Sequence, residues 1–332
     1  MTGSLPTRVR TWAPTLGAAV TLAVVLWRLG DGPFLDGLRA LDVRLLTAAA
    51  AIGLVTTVCC AWRWRVVARG LGVDLSLPAA VAAYYRSLFL NLTLPGGVVG
   101  DVHRGLAHGR DTRDVGRALR AVVWERTGGQ LVQLVMTLGV LVVLPSPVHG
   151  YMPVVAVALV ASLGFTLLAG RAWRGDRRSP LARARRTLAA DLAGIVRVRG
   201  AVPAIALTSL LVVLGHAATF LLAARAAGST APPSRLVPLA LLAMLAMVLP
   251  SVAGWGPREG VTAWAFGAAG LGASLGVATA VVYGVMALVA SLPGALVLAA
   301  AALPHVRPRR RPGAPRPRTV PVSVRREGVR DG

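Results

Sequence analysis

Apolar residues in this chain come in long runs, and charged residues collect between the runs. A hydrocarbon core about 30 Å thick needs about 20 apolar residues per crossing helix, so a run of that length predicts a span. Six runs qualify, at about 13–29, 41–61, 118–144, 151–170, 202–224 and 275–303. Two further stretches, 77–100 and 236–271, are apolar overall but broken by a Pro/Gly-rich passage, which predicts short or re-entrant helices. The pattern therefore predicts an all-α polytopic membrane protein with about six full spans and two broken segments.

Composition agrees: 55% of residues are hydrophobic, 15% are charged, and the mean hydropathy is +0.65. A net charge of +23 would suit a nucleic-acid partner, but no soluble basic domain with base-reading side chains is present to use it. Cys59 and Cys60 are adjacent within an apolar run, which excludes a disulfide framework and a cysteine zinc site. Arg8 and Arg10 precede the first run as they would precede a secretory signal, yet no small-residue cleavage site follows closely, so it reads as a retained span.

Every basic residue is arginine, and its placement sets orientation, because cytoplasmic loops collect positive charge. With the N-terminus inside and each broken stretch folded back as a hairpin, 28 of the 36 arginines fall inside, among them Arg63, Arg65, Arg69 and Arg104. Both termini are then cytoplasmic, and the two hairpins enter from opposite faces. They also correspond in sequence: Gly105 follows Pro95 at ten residues and Gly260 follows Pro250 at ten, each preceded by a charge, Arg104 or Glu259. Opposed, interrupted segments in two halves of a chain predict an inverted repeat with a midplane site.

Ionisable groups at membrane depth cost about 2.5–3.5 kcal/mol each, so they need partners or a wet cavity. Here they are Arg86, Asp101, Glu125, Arg126, Arg258 and Glu259. Around the first break, Pro95, Gly96, Gly97 and Gly100 free backbone groups that could meet a polar ligand, with Asn91, Asp101 and Arg104 beside them. Asp101 and Arg104 share a face if a helix restarts at Gly100; a capping acid and an interfacial arginine are the structural alternative. Glu125 and Arg126 point about 100° apart on a helix and must pair with different neighbours, or else form a purely structural ion pair. Pro250, Gly254, Gly256 and Gly260 repeat the arrangement around Arg258 and Glu259, where a tight loop and a dipole-facing glutamate are the alternative.

The run from Leu90 to Arg104, then Glu125-Arg126, then Gly254 to Gly260, resembles the transmembrane region of lysylphosphatidylglycerol synthases over about residues 13–303. The resemblance implies a flippase-like lipid-handling fold with internal pseudo-symmetry, and it puts Asp101, Arg104, Glu125, Arg126, Arg258 and Glu259 on motif positions. Full-length synthases continue into a cytosolic aminoacyl-transfer domain, whereas about 30 residues follow the last run here, so that activity is not expected. Members of the family also occur beside glycosyltransferases and in polyprenyl-linked sugar pathways, which leaves the lipid open.

The expected organisation is a cytoplasmic segment 1–12, a transmembrane domain 13–303 and a disordered Arg/Pro-rich tail 304–332. The loop 171–199 is basic, and its part from Ser179 reads as an amphipathic helix on the inner leaflet or a solvated connector. Three functions fit: a translocator of lipid or lipid-linked substrate in the cell membrane, a scaffold for a glycosyltransferase or synthase, and an intramembrane enzyme. The last lacks an Asp-x-Asp, a His-x-x-x-His or a Ser/His/Asp set, so neither an enzyme nor a cofactor or metal is expected. Partners would be anionic, aminoacylated or polyprenyl-linked lipids.

Overall fold

The computed structural model describes residues 20–302 except 22, 25, 26, 152, 153, 155–179 and 250. The expected spans at 13–29 and 151–170, the segment 1–12, much of the basic loop, the tail 304–332 and Pro250 lie wholly or largely outside the described residues. Among those described are eleven α-helices and no β-strand. They are α1 (Gly32–Arg39), α2 (Val43–Gly70), α3 (Leu77–Thr93), α4 (Val99–Thr112), α5 (Val115–Val143), α6 (Pro180–Arg197), α7 (Ala201–Ala226), α8 (Pro233–Ala246), α9 (Pro257–Ala268), α10 (Ala273–Ser291) and α11 (Pro293–Ala302). Four stretches are long and apolar enough to cross a membrane: α2, α5, α7, and Ala273–Ala301, which spans α10 and most of α11. The chain is an all-α, multi-pass membrane protein.

Local chemistry sets the helix starts. Asp42 and Asp114 accept hydrogen bonds from Leu45 N (2.6 Å) and Arg117 N (2.9 Å), capping α2 and α5. Proline stands in the first turn of α3, α8 and α9, where its missing N–H costs nothing.

The order of elements repeats. A long helix, two short helices separated by a break, and a second long helix run through α2, α3, α4 and α5, then again through α7, α8, α9 and α10. Two apolar clusters mark opposite ends of the molecule. One joins Leu41 and Leu45 at the start of α2 to Ala226 at the end of α7, Leu236 on α8, Ala269 after α9 and Leu275 on α10. The other joins Val67 and Leu71 at the end of α2 to Leu77 on α3, Ala121 on α5, Ile195 on α6 and Ala201 at the start of α7. The α3–α4 hairpin therefore rises from one end and the α8–α9 hairpin from the other, as the arginine distribution anticipates.

At 1.5 Å per residue the arms are about 26 and 21 Å in the first hairpin and about 21 and 18 Å in the second. Each is shorter than a hydrocarbon core of about 30 Å, so no single arm is long enough to cross it. The ten-residue correspondence read from sequence is not a structural one. The first break spans residues 94–98 and the second 247–256, and the acids at the third position of the following helix are Asp101 and Glu259. The structural partner of Glu259 is thus Asp101, three residues before Arg104.

Candidate functional site: two hairpin tips and a central cavity

Leu94 precedes a proline and is extended, which ends α3. Gly96 and Gly97 then take positive φ, +103° and +69°, the left-handed region glycine enters without steric cost. Gly100 serves packing instead of turning. A Cβ there would lie 2.1 Å from the Ser87 carbonyl oxygen, so its hydrogen lets α4 cross α3 closely. Asn91 clamps the turn, accepting from Gly100 N at 2.7 Å and donating to Asp101 Oδ2 at 2.9 Å.

That crossing presents Asp101 to a buried ionic network. Asp101 Oδ1 accepts from Ser87 Oγ (3.1 Å) and Arg104 Nε (2.9 Å), and Oδ2 accepts from Arg126. Arg104 also reaches Glu125 Oε2 at 2.7 Å. Glu125 Oε1 accepts from Arg63 Nε (2.9 Å), Arg63 Nη2 (2.6 Å) and Tyr84 OH (3.2 Å). Arg63 Nη1 donates to Ser209 Oγ at 3.0 Å, carrying the network to α7. Arg104 and Glu125 are fully buried, and the Arg104 guanidinium lies 4.6 Å from the Trp64 ring centroid and 4.3 Å from that of Tyr84. Glu125 and Arg126 face different partners, as adjacent helical residues must.

Arg63 corrects the sequence reading, which counts it as a cytoplasmic marker together with Arg65 and Arg69. It is only 5% exposed. The apolar run ends at Ala61, but α2 continues to Gly70, and two residues on a helix turn a side chain by about 200°. Arg65 is half-buried and Arg69 exposed, while Arg63 points inward. Gly129 makes room for it: a Cβ there would stand 2.9 Å from the guanidinium carbon.

The second tip is built more locally. Val252 and Trp255 exchange backbone hydrogen bonds of 3.0 and 2.9 Å, and Ala253, Gly254 and Gly256 carry positive φ. Glu259 accepts from Gly256 N at 2.6 Å and from its neighbour Arg258, whose guanidinium sits 5.4 Å from the Trp255 ring centroid and 5.2 Å from that of Tyr283. Gly284 seats Arg258 as Gly129 seats Arg63, since its Cβ would fall 2.5 Å from Arg258 Nη2. His216 Nδ1 and Tyr283 OH stand 2.9 Å apart on the same wall. Gly260 lies within α9, where a Cβ would meet the Thr21 methyl at 2.7 Å, so like Gly100 it is a close-packing glycine and not a hinge.

The tips touch. Gly96 N donates to Ser251 O at 2.9 Å, and the ideal Cβ position of Gly97 is 3.2 Å from Ser251 Oγ. Beside this contact lies a cavity of about 280 Å³, framed by α2, α3, α5, α7, α8, α9, α10 and both breaks. Arg63, Arg126 and Arg258 line it, with Asn91, Gln130, Gln133 and Ser209 and an apolar wall that includes Ile52, Val213, Met244 and Met286. Asp101, Arg104, Glu125 and Glu259 stand behind this lining and hold the arginines in place. Arg86 is half-buried on α3 and does not line the cavity. Among the described residues no group of three or more His, Cys, Asp or Glu could hold a metal ion.

No curated protein matches the sequence at a significant level. Residues 12–294 do match the family described as the lysylphosphatidylglycerol synthase TM region, a stretch that contains both hairpins and every residue of the cavity. The chain therefore belongs to the lysylphosphatidylglycerol synthase transmembrane-region family.

Proposed function

We propose that the protein is a translocator, flippase-like in kind, that carries a lipid headgroup between leaflets through the central cavity. The observation that carries this reading is the tip-to-tip contact of two opposed hairpins beside a cavity with both an ionic and an apolar lining. Interrupted helices from two repeats, meeting at depth, are how membrane transporters place a polar site where hydrocarbon would otherwise forbid one. Parting of one tip from its neighbours would open the cavity to one leaflet, and parting of the other to the opposite leaflet. The arginine-rich end bearing Arg65, Arg69, Arg110 and Arg113 would face the cytoplasm of the cell and the end bearing Asp31, Asp36 and Asp42 the exterior. Both termini are cytoplasmic in this orientation, and the protein acts without chemistry of its own on the lipid.

The test is transfer of fluorescent phospholipid across the bilayer of proteoliposomes, read by quenching of the outer leaflet. The wild type should speed transfer well above protein-free vesicles, and Asp101→Ala and Arg258→Ala should each lower the rate at least about tenfold, the loss of one charge-assisted contact. Equal rates with and without protein would remove the reading, and full rates in both variants would remove the site.

A further inference from the structure

We infer that the cavity selects a lipid whose headgroup is net anionic, a phosphate ester without a compensating ammonium, and discriminates against an aminoacylated, net cationic head. The inference deepens the translocator reading and rests on it for the claim that the ligand is a lipid. It is carried by the charge on the lining, which among the described residues holds three arginines and no carboxylate.

The acids near the cavity are already committed. Both oxygens of Asp101 are taken, one by Ser87 and Arg104 and the other by Asn91 and Arg126. Glu125 gives one oxygen to Arg63 and Tyr84 and the other to Arg104. Glu259 gives one to Arg258 and the other to the Gly256 N–H. Each is already paired with arginine and none stands on the lining to receive an ammonium group, which binds chiefly by donating hydrogen bonds to carboxylate or carbonyl oxygens. The network itself is unbalanced, since Arg63, Arg104 and Arg126 face only Asp101 and Glu125 and one positive charge remains.

The unused polar atoms point the same way. Among the buried side-chain atoms of the described residues that lack a hydrogen-bond partner, those on the cavity lining are Arg126 Nε and Gln133 Nε2, and both are donors. Buried donors without acceptors are costly to maintain and fit a ligand rich in acceptor oxygens. A phosphate diester supplies them and cancels the surplus charge. The apolar wall beyond, with Ile52, Val213, Met244 and Met286, accommodates chain instead of further headgroup.

The experiment measures equilibrium binding of lipids with identical fluorescent tails to the purified full chain in neutral nanodiscs. Phosphatidylglycerol, phosphatidylethanolamine and aminoacylated phosphatidylglycerol supply anionic, zwitterionic and cationic heads, and glycerol 3-phosphate supplies a head without chains. Phosphatidylglycerol should bind about tenfold tighter than the cationic lipid, the worth of one charge-assisted hydrogen bond, with phosphatidylethanolamine between them. It should also bind tighter than glycerol 3-phosphate. Arg126→Gln should erase the preference and Arg126→Lys should keep most of it, while Gln133→Glu, which adds a carboxylate to the lining, should improve binding of the cationic lipid. Equal or tighter binding of the aminoacylated lipid by the wild type would overturn the inference, and equal binding of glycerol 3-phosphate would overturn its lipid part. Because binding needs no transport, the predicted order without transfer in vesicles would defeat the translocator reading alone, and transfer with cationic preference would defeat this inference alone.

Discussion

The two hairpins solve the same problem with different amounts of structure. At the first tip, five charged residues on α2, α4 and α5 are tied through Ser87, Asn91 and Tyr84 of α3 and Ser209 of α7. At the second, one arginine pairs with the glutamate beside it, and that glutamate also caps its own helix. The first tip is therefore fixed by its neighbours and the second largely by itself. The ion pair of the second stays within one helix, whereas moving the first means separating guanidinium from carboxylate across helices.

The largest expected effect follows from that contrast. Glu125→Ala leaves Arg63 buried without a carboxylate and Arg104 with Asp101 alone, which should cost about 3–5 kcal/mol and show as a large fall in thermal unfolding temperature of the purified protein. Glu259→Gln removes a partner of one arginine only and keeps an acceptor for Gly256 N–H, so it should cost less, about 2–3 kcal/mol in the same assay. If the two costs are equal, the contrast between anchored and self-contained tips is wrong.

Next come the glycine seats. Gly129→Ala and Gly284→Ala each push a methyl against a guanidinium, and each should cost about 1–2 kcal/mol while shifting lipid transfer more than stability. A control completes the series: Arg117→Gln breaks a pair exposed on both sides and should change the unfolding free energy by less than about 0.5 kcal/mol.

Much of this was readable from residues. Pro95 and the glycines around it place the first break, Gly254 to Pro257 place the second, and the cost of charge at depth singles out Asp101, Glu125, Arg126, Arg258 and Glu259. What escapes sequence reading is the direction a side chain takes and the company it finds. Arg63 sits two residues past the end of an apolar run, where hydropathy counts it with Arg65 and cannot tell the inward face from the outward one. Tyr84, Ser87 and Ser209 are ordinary helix residues until the fold brings them to a carboxylate. Gly129 and Gly284 resemble the other helical glycines, and only packing reveals that each vacates room for an arginine. The three-residue offset between Asp101 and Glu259 is hidden because the breaks differ in length while the prolines suggest equal spacing.

The central claim is that lipid passes only when the touching hairpin tips separate. Cysteines at Gly97 and Ser251, in a chain whose Cys59 and Cys60 are replaced by alanine, would join the tips where the ideal Gly97 Cβ and Ser251 Oγ are 3.2 Å apart. Gly97 has φ +69°, so the cysteine costs about 1–2 kcal/mol there, and the reduced form of the same protein measures that cost directly. Lipid transfer in proteoliposomes should fall to the protein-free rate on oxidation and recover on reduction. Transfer at the same rate with the tips locked and unlocked would contradict the account.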